Sequence, residues 1–97
     1  MAVQIRKRDG RLVPFEESKI TDAIFKAAEA EGGHDRTMAM ELTLKVMKEL
    51  ERQFGAQVYG VEDVQDTVEK VLIEDGHART AKAYILYRDK RNRVRLA

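Results

Sequence analysis

Residues 5–11 read Ile5-Arg6-Lys7-Arg8-Asp9-Gly10-Arg11, and Pro14-Phe15 and Lys19-Ile20 follow them. An Asp-Gly pair between two short apolar segments is a strong signal for a β-hairpin. Four cations surround this turn, and Lys19 falls on the first turn of the helix that comes next. Fixed positive charges beside a helix N-terminus suit a polyanion such as a nucleoside triphosphate.

The rest of the chain predicts four helices joined by short loops, because apolar residues recur at three- and four-residue spacing. The predicted strands cover residues 3–7 and 12–14, with a candidate third strand at 57–59. The predicted helices run from about Glu16 to Ala30, from Asp35 as N-cap to Phe54, from Val61 to Asp75, and from His77 or Ala78 to Arg91. The expected fold is α+β, mostly α: a four-helix domain capped by a small two- or three-stranded antiparallel β-hairpin sheet.

Each predicted helix carries one apolar stripe that would face a common core. The stripes consist of Ile20, Ala23, Ile24, Ala27 and Ala28; Ala39, Leu42, Val46, Met47, Leu50 and Phe54; Val64, Val68, Val71 and Leu72; and Ala81, Tyr84, Ile85 and Arg88. We predict a single domain over residues 1–97, with a core over about 3–91 and a basic C-terminal helix extension over 92–97.

Composition excludes several kinds of site. The 97 residues are 43% hydrophobic and contain no cysteine, so the chain can build one core but has no disulfide or thiolate metal site. His34 and His77 lie far apart in sequence, and neither has a second ligand at metal spacing, so no protein-ligated metal is expected. The chain has neither an apolar run of roughly 18 residues nor a signal-peptide core, which makes a cytoplasmic location the expectation.

The net charge of +1 conceals an uneven distribution. Residues 5–11 carry four cations against one acid, and residues 88–97 carry five against one. Residues 12–87 carry 9 cations and 15 acids. If the fold brings the basic ends together, one pole of the domain becomes an anion site.

Three segments in order resemble one known family. They are the hairpin stretch with Pro14-Phe15 and Lys19-Ile20, the segment from Val61-Glu62-Asp63-Val64 to Val68, and Ala83-Tyr84-Ile85-Leu86-Tyr87-Arg88-Asp89-Lys90-Arg91. Together they resemble the ATP-cone, a regulatory nucleotide-binding domain at the N-terminus of many ribonucleotide reductases. It also occurs in a bacterial repressor of the reductase genes. The resemblance covers roughly residues 3–91 and is greatest to the anaerobic and cobalamin-dependent types.

The resemblance implies allosteric binding of ATP or dATP, with Mg²⁺, and no catalysis by this chain. The implied contacts are cations of the hairpin and first helix, an aliphatic residue beside the base or ribose, and tyrosines and arginines of the last helix. These nucleotide-binding residues are Ile5, Lys7, Arg8, Lys19, Tyr84, Tyr87, Arg88 and Arg91. The implied ligand is an adenine nucleotide. The implied protein partner is the catalytic domain of a ribonucleotide reductase or another copy of the chain, and no membrane partner is expected.

The same residues also have purely structural explanations. The hairpin cations could be solvated charges of an exposed turn. Lys19 could pair with Glu16 one helical turn away, a contact that contributes about 0.2–0.5 kcal/mol. One of Tyr84 and Tyr87 is expected to pack inward, and cations near the end of a helix are stabilised by its dipole.

Three functions remain open at this point. The first is an allosteric nucleotide sensor. The second is a nucleic-acid-binding or transcription-regulator module that uses the basic ends, although the acidic middle and the lack of a base-reading face disfavour it. The third is an oligomerisation domain with a degenerate nucleotide site.

Overall fold

A computed structural model describes residues 4–96 of the chain. Its elements are β1 (Gln4–Arg6), β2 (Leu12–Pro14), α1 (Glu17–Ala30), α2 (Arg36–Phe54), β3 (Tyr59–Gly60), α3 (Val61–Glu74) and α4 (Ala78–Leu96). The predicted fold class, four helices with a small sheet, is confirmed. The predicted strand start at Val3 and the tail residue Ala97 lie outside the described residues.

The sheet has the order β2-β1-β3, so β1 is its central strand. β1 and β2 form the predicted hairpin, with Ile5 opposite Val13. β3 instead pairs with β1 in parallel, with Ile5 opposite Tyr59, so the sheet is mixed where the sequence predicted antiparallel strands only. A tight turn forces antiparallel pairing on β1 and β2, whereas the connection from β1 to β3 contains two helices and permits a parallel crossover.

Local hydrogen bonds fix the helix ends, and the sequence predicted one of these bonds. The Asp35 carboxylate accepts from the backbone N–H of Met38 at 3.2 Å and caps α2 as predicted. The Asp63 carboxylate accepts from the backbone N–H of Gly60 at 3.1 Å, which fixes the junction between β3 and α3. α4 continues to Leu96 and so includes most of the predicted basic extension.

The four helices bury one continuous core, to which the predicted stripes of α1, α2 and α3 contribute. Ala23 and Phe54 are half-buried at its edge. Ile85 of the α4 stripe is 40% exposed, against the expectation. Neighbouring helix positions differ by about 100°, and of this pair α4 directs Tyr84, which is 6% exposed, towards the core and leaves Ile85 at its edge.

Tyr59 connects the sheet to the helices. Its side chain is only 1% exposed, and its hydroxyl donates to the Gly55 carbonyl oxygen at 3.0 Å. Its ring meets Phe15 edge-on at a centroid distance of 5.7 Å and lies 5.9 Å from the ring of Phe54. One side chain of β3 therefore holds together the entry to α1 and the end of α2.

Glu49 of α2 forms an ion-pair network with α3. Its carboxylate accepts from Arg52 at 2.5 and 2.9 Å, from Gln53 at 3.0 Å and from Lys70 of α3 at 2.7 Å. These hydrogen bonds, the largest from Arg52, hold the pKa of Glu49 well below its ordinary value. The charged form of Glu49 is therefore the one that stabilises the fold.

We expect Glu49→Gln to destabilise the domain at pH 7 and to have progressively less effect in acid. A carboxylate with a lowered pKa stabilises the fold above its ordinary pKa of about 4.5, and this stabilisation is lost as the pH falls towards the folded value. Urea unfolding of both proteins at pH 7 and pH 3 measures the difference. Glu51→Gln, at an exposed position on the same helix, is the matched control. An equal deficit at both pH values would contradict the ionic explanation.

Candidate functional site

One cleft gathers most of the predicted site residues. It lies between the hairpin, the first turns of α1 and α3, and the middle of α4, with a volume of about 800 Å³ including its mouth. Its apolar wall includes Ile5, Val13, Pro14, Phe15, Ile20, Ala23, Val61 and Val64. Its polar side chains are Lys7, Glu16, Lys19, Gln65, Tyr84, Tyr87, Arg88 and Arg91.

The hairpin turn determines which basic side chains reach the cleft. Backbone bonds from Lys7 N–H to the Arg11 carbonyl (2.8 Å) and from Gly10 N–H to the Lys7 carbonyl (3.0 Å) close the turn, with Gly10 at a φ of +90°. Ile5 and Lys7 both line the cleft, as alternate positions of an extended chain should. Arg6 between them instead donates to the Gly10 carbonyl oxygen at 3.3 Å.

Asp9 rigidifies the same turn. Its carboxylate accepts from the backbone N–H of Arg11 at 3.0 Å and from the Arg11 guanidinium at 2.7 Å. These two contacts, the backbone one first, lower the pKa of Asp9 below its ordinary value. The acid of the Asp-Gly pair therefore stays ionised and is paired within the turn, with Arg11.

The first turn of α1 brings Lys19 and Glu16 to the cleft. The Lys19 ammonium lies 3.8 Å from the Glu16 carboxylate, so the ion pair that the sequence offered as a structural explanation is present. The Lys19 side chain is nevertheless 74% exposed, and an exposed pair at this spacing contributes only about 0.2–0.5 kcal/mol. The ammonium can therefore exchange this partner for a ligand.

α4 presents two tyrosines and two arginines to the cleft at positions 84, 87, 88 and 91. Tyr84 is 6% exposed, and burial raises the pKa of its hydroxyl, which stays neutral. Tyr87 is 38% exposed, and the Arg91 guanidinium carbon lies 5.8 Å from its ring centroid in a cation–π contact. One tyrosine thus packs inward, while the other remains accessible.

Arg88 is held by three carboxylates of α3. Its guanidinium lies 2.8 Å from Asp66 and 2.7 Å from Glu69, and it also bonds Glu62. Its side chain is 14% exposed; burial acts to lower the pKa of Arg88, but the hydrogen bonds to the carboxylates outweigh it and raise that pKa. The sequence analysis did not predict these partners, although their spacing places them on one face of α3.

Arg8 also turns to α3. Its guanidinium lies 2.6 Å from a Glu62 oxygen and 3.5 Å from the amide oxygen of Gln65. Glu62 therefore bonds Arg8 with one carboxylate oxygen and Arg88 with the other. These contacts join the hairpin, α3 and α4 along one side of the cleft.

A family comparison covers the same elements. The sequence model of the ATP cone domain matches residues 3–93, a range that includes the hairpin, α1, α2, α3 and every cleft residue of α4. The chain belongs to the ATP-cone family.

Relatives of this ATP-cone include several ribonucleotide reductases. It is 42% identical, over 98% of its length, to a vitamin B12-dependent ribonucleoside-diphosphate reductase of Thermoplasma acidophilum, and covers 13% of that protein. It is 30% identical, over 95% of its length, to an anaerobic ribonucleoside-triphosphate reductase of Escherichia coli, and covers 12%. It is 34% identical, over 96% of its length, to a ribonucleoside-diphosphate reductase subunit alpha of Chlamydia pneumoniae, and covers 10%. The chain spans about an eighth of the length of these relatives, or less.

Seven of the eight residues predicted for this ATP-cone's nucleotide site line the cleft. Arg8 is the eighth, and it lies beside the cleft in contact with Glu62 and Gln65. The sequence analysis missed most of the apolar wall, although strand alternation places Val13 opposite Ile5 on the same face.

Within residues 4–96, no group of three or more His, Asp or Glu side chains is arranged to hold a metal ion. None of the helices in this part of the chain has both the length and the apolar character that a membrane span needs.

Proposed function

We propose that this ATP-cone binds an adenine nucleoside triphosphate, ATP or dATP, in the cleft, and that binding regulates a ribonucleotide reductase. The observation that carries the proposal is the convergence of four cationic side chains on one cleft with an apolar wall. Apolar walls accommodate purine rings, while lysine and arginine side chains bind phosphates. The names of the relatives supply the reductase context.

The phosphates would bind at the hairpin end of the cleft. Lys7 at the hairpin turn and Lys19 on the first turn of α1 both line it, and an ammonium can approach several phosphate oxygens. Glu16 is the only carboxylate among the described lining residues. Mg²⁺ would therefore bind mainly through the phosphates and water, as this ion commonly does.

The base and ribose would lie against the apolar wall and α4. Ile5 and Val13 present aliphatic surface there, and the exposed ring of Tyr87 offers an aromatic face. ATP and dATP differ by one 2′-hydroxyl. Their discrimination would therefore come from a contact on the ribose side, for which the Gln65 amide is available, or from a second bound nucleotide.

Binding without turnover is part of this proposal. The described residues include no glycine-rich loop with the spacing that P-loop NTPases use to hold the phosphates for hydrolysis. A bound nucleotide would instead shift the attached or associated protein between two arrangements. It can do so only as far as its affinities for the two arrangements differ.

Calorimetric titration of the 97-residue chain with ATP, dATP, GTP and CTP in Mg²⁺ tests the proposal. We expect ATP and dATP to bind with a Kd in roughly the micromolar range and the other two nucleotides to bind more weakly. Circular dichroism establishes that the protein is folded. A folded protein that binds none of the four, or that hydrolyses ATP above background, would overturn the proposal.

We expect Lys19→Ala to weaken ATP binding by roughly 10- to 100-fold. A hydrogen bond to a charged group contributes about 1.5–3 kcal/mol, whereas the Lys19–Glu16 pair that is also lost contributes little to stability. Lys48→Ala removes the same charge from an exposed position on α2 and is the matched control. Equal weakening in the two variants would indicate a general charge effect and no direct contact by Lys19.

A further inference from the structure

Five charged side chains beside the cleft form one connected cluster. Arg8 of the hairpin and Arg88 of α4 provide the cations, and Glu62, Asp66 and Glu69 of α3 provide the carboxylates. Only Glu62 bonds both arginines, using one oxygen for each. The cluster holds more acids than bases, so each arginine sits in a negative local field.

The two arginines depend on Glu62 to different degrees. Arg88 keeps Asp66 at 2.8 Å and Glu69 at 2.7 Å if Glu62 is removed, and its side chain is 14% exposed. Among the described residues, Arg8 has Glu62 at 2.6 Å and otherwise only the Gln65 amide at 3.5 Å, a long contact, and its side chain is 32% exposed. Of the two arginines, Arg8 therefore depends more on Glu62 for its position.

Arg8 lies beside the cleft and can bind a ligand there if the Glu62 carboxylate releases it. It follows Lys7, which lines the cleft, and it contacts Gln65, which also lines it. Carboxylate and phosphate oxygens compete for the same guanidinium donors because both match its planar fork. A phosphate that engages Arg8 must therefore displace the Glu62 oxygen.

Building on the proposed function, we infer that Glu62 competes with the nucleotide phosphates for Arg8 and so sets the affinity of the site. Its influence grows with the number of phosphates that the ligand carries, because only phosphates need the guanidinium. By weakening triphosphate binding, Glu62 raises the triphosphate concentration at which the site fills. It need not touch the base or ribose.

Titration of Glu62→Gln with ATP, AMP and adenosine tests this inference. Exposed ion pairs contribute modestly, so we expect ATP to bind about two- to fivefold more tightly than to the wild type, AMP to gain less and adenosine to be unchanged. Asp66→Asn is the matched control because it removes a charge from the same helix face but bonds Arg88 and not Arg8. When Arg8 is already replaced by glutamine, Glu62→Gln should leave the affinity for ATP unchanged.

The outcomes separate this inference from the proposed function. A folded wild-type chain that binds no ATP overturns both. A wild type that binds ATP, with a Glu62→Gln variant whose affinity is unchanged or weaker, overturns only the inference. The inference is also overturned if Asp66→Asn tightens ATP binding equally, if adenosine gains as much as ATP, or if the gain persists without Arg8.

Discussion

Replacing Tyr59 by alanine is expected to lower the free energy of unfolding by about 3–5 kcal/mol, as truncation of a buried aromatic side chain does. Tyr59 is 1% exposed and contacts the rings of Phe15 and Phe54, so its removal leaves a cavity where the sheet meets the helices. Small domains are stable by only about 5–15 kcal/mol, so the variant loses a large part of its stability. Urea unfolding followed by circular dichroism at pH 7 measures the change.

Tyr59→Phe separates packing from hydrogen bonding at this position. It keeps the ring and removes only the bond to the Gly55 carbonyl oxygen, for which we expect a loss of about 1 kcal/mol. If the alanine and phenylalanine variants lose similar free energy, the packing of Tyr59 against the two phenylalanines does not hold the sheet in place.

Arg88→Met is the second substitution with a large expected effect, a loss of about 2–3 kcal/mol in the free energy of unfolding. Methionine retains much of the apolar stem but leaves Glu62, Asp66 and Glu69 close together without their shared cation. Breaking a fully buried ion pair costs about 3–5 kcal/mol, and the figure here is smaller because Asp66 is 68% and Glu62 49% exposed. Thermal unfolding at low and high salt measures the loss, which added salt should reduce.

Two variants control for charge and position in this experiment. Arg88→Lys keeps the charge, but one ammonium cannot reproduce the guanidinium's bonds to three carboxylates, so we expect an intermediate loss. Arg91→Met removes a cation one turn later on α4, where the described contact is with the Tyr87 ring, and should lose little. Equal losses of unfolding free energy at positions 88 and 91 would show that the three carboxylates do not add to the stabilisation by Arg88.

The helices could be predicted because their signals are local. The spacing of Leu42, Val46 and Leu50 marks the buried face of α2, and Asp35 caps that helix from the adjacent position. The direction of β3 could not be predicted in the same way. It depends on how α1 and α2 return the chain to β1, which is a tertiary property.

The candidate site shows the same division. The motif resemblance indicated which side chains line the cleft, among them Lys7 and Lys19, because the motif fixes residue types along the chain. It did not indicate the partners of Arg8 and Arg88, since Glu62 meets them only after three elements pack together. A long side chain can satisfy its charge in several places, and packing selects among them.

The two sides of the cleft come from distant parts of the chain, with Lys7 on one side and Tyr87 and Arg91 on the other. A ribosome that has just made the hairpin must add roughly 80 further residues before those side chains of α4 exist. At about 5–20 residues per second, this takes roughly 4–16 s. During that interval the nascent hairpin has charge but no opposing wall, so the proposed nucleotide site is complete only once translation has passed through α4.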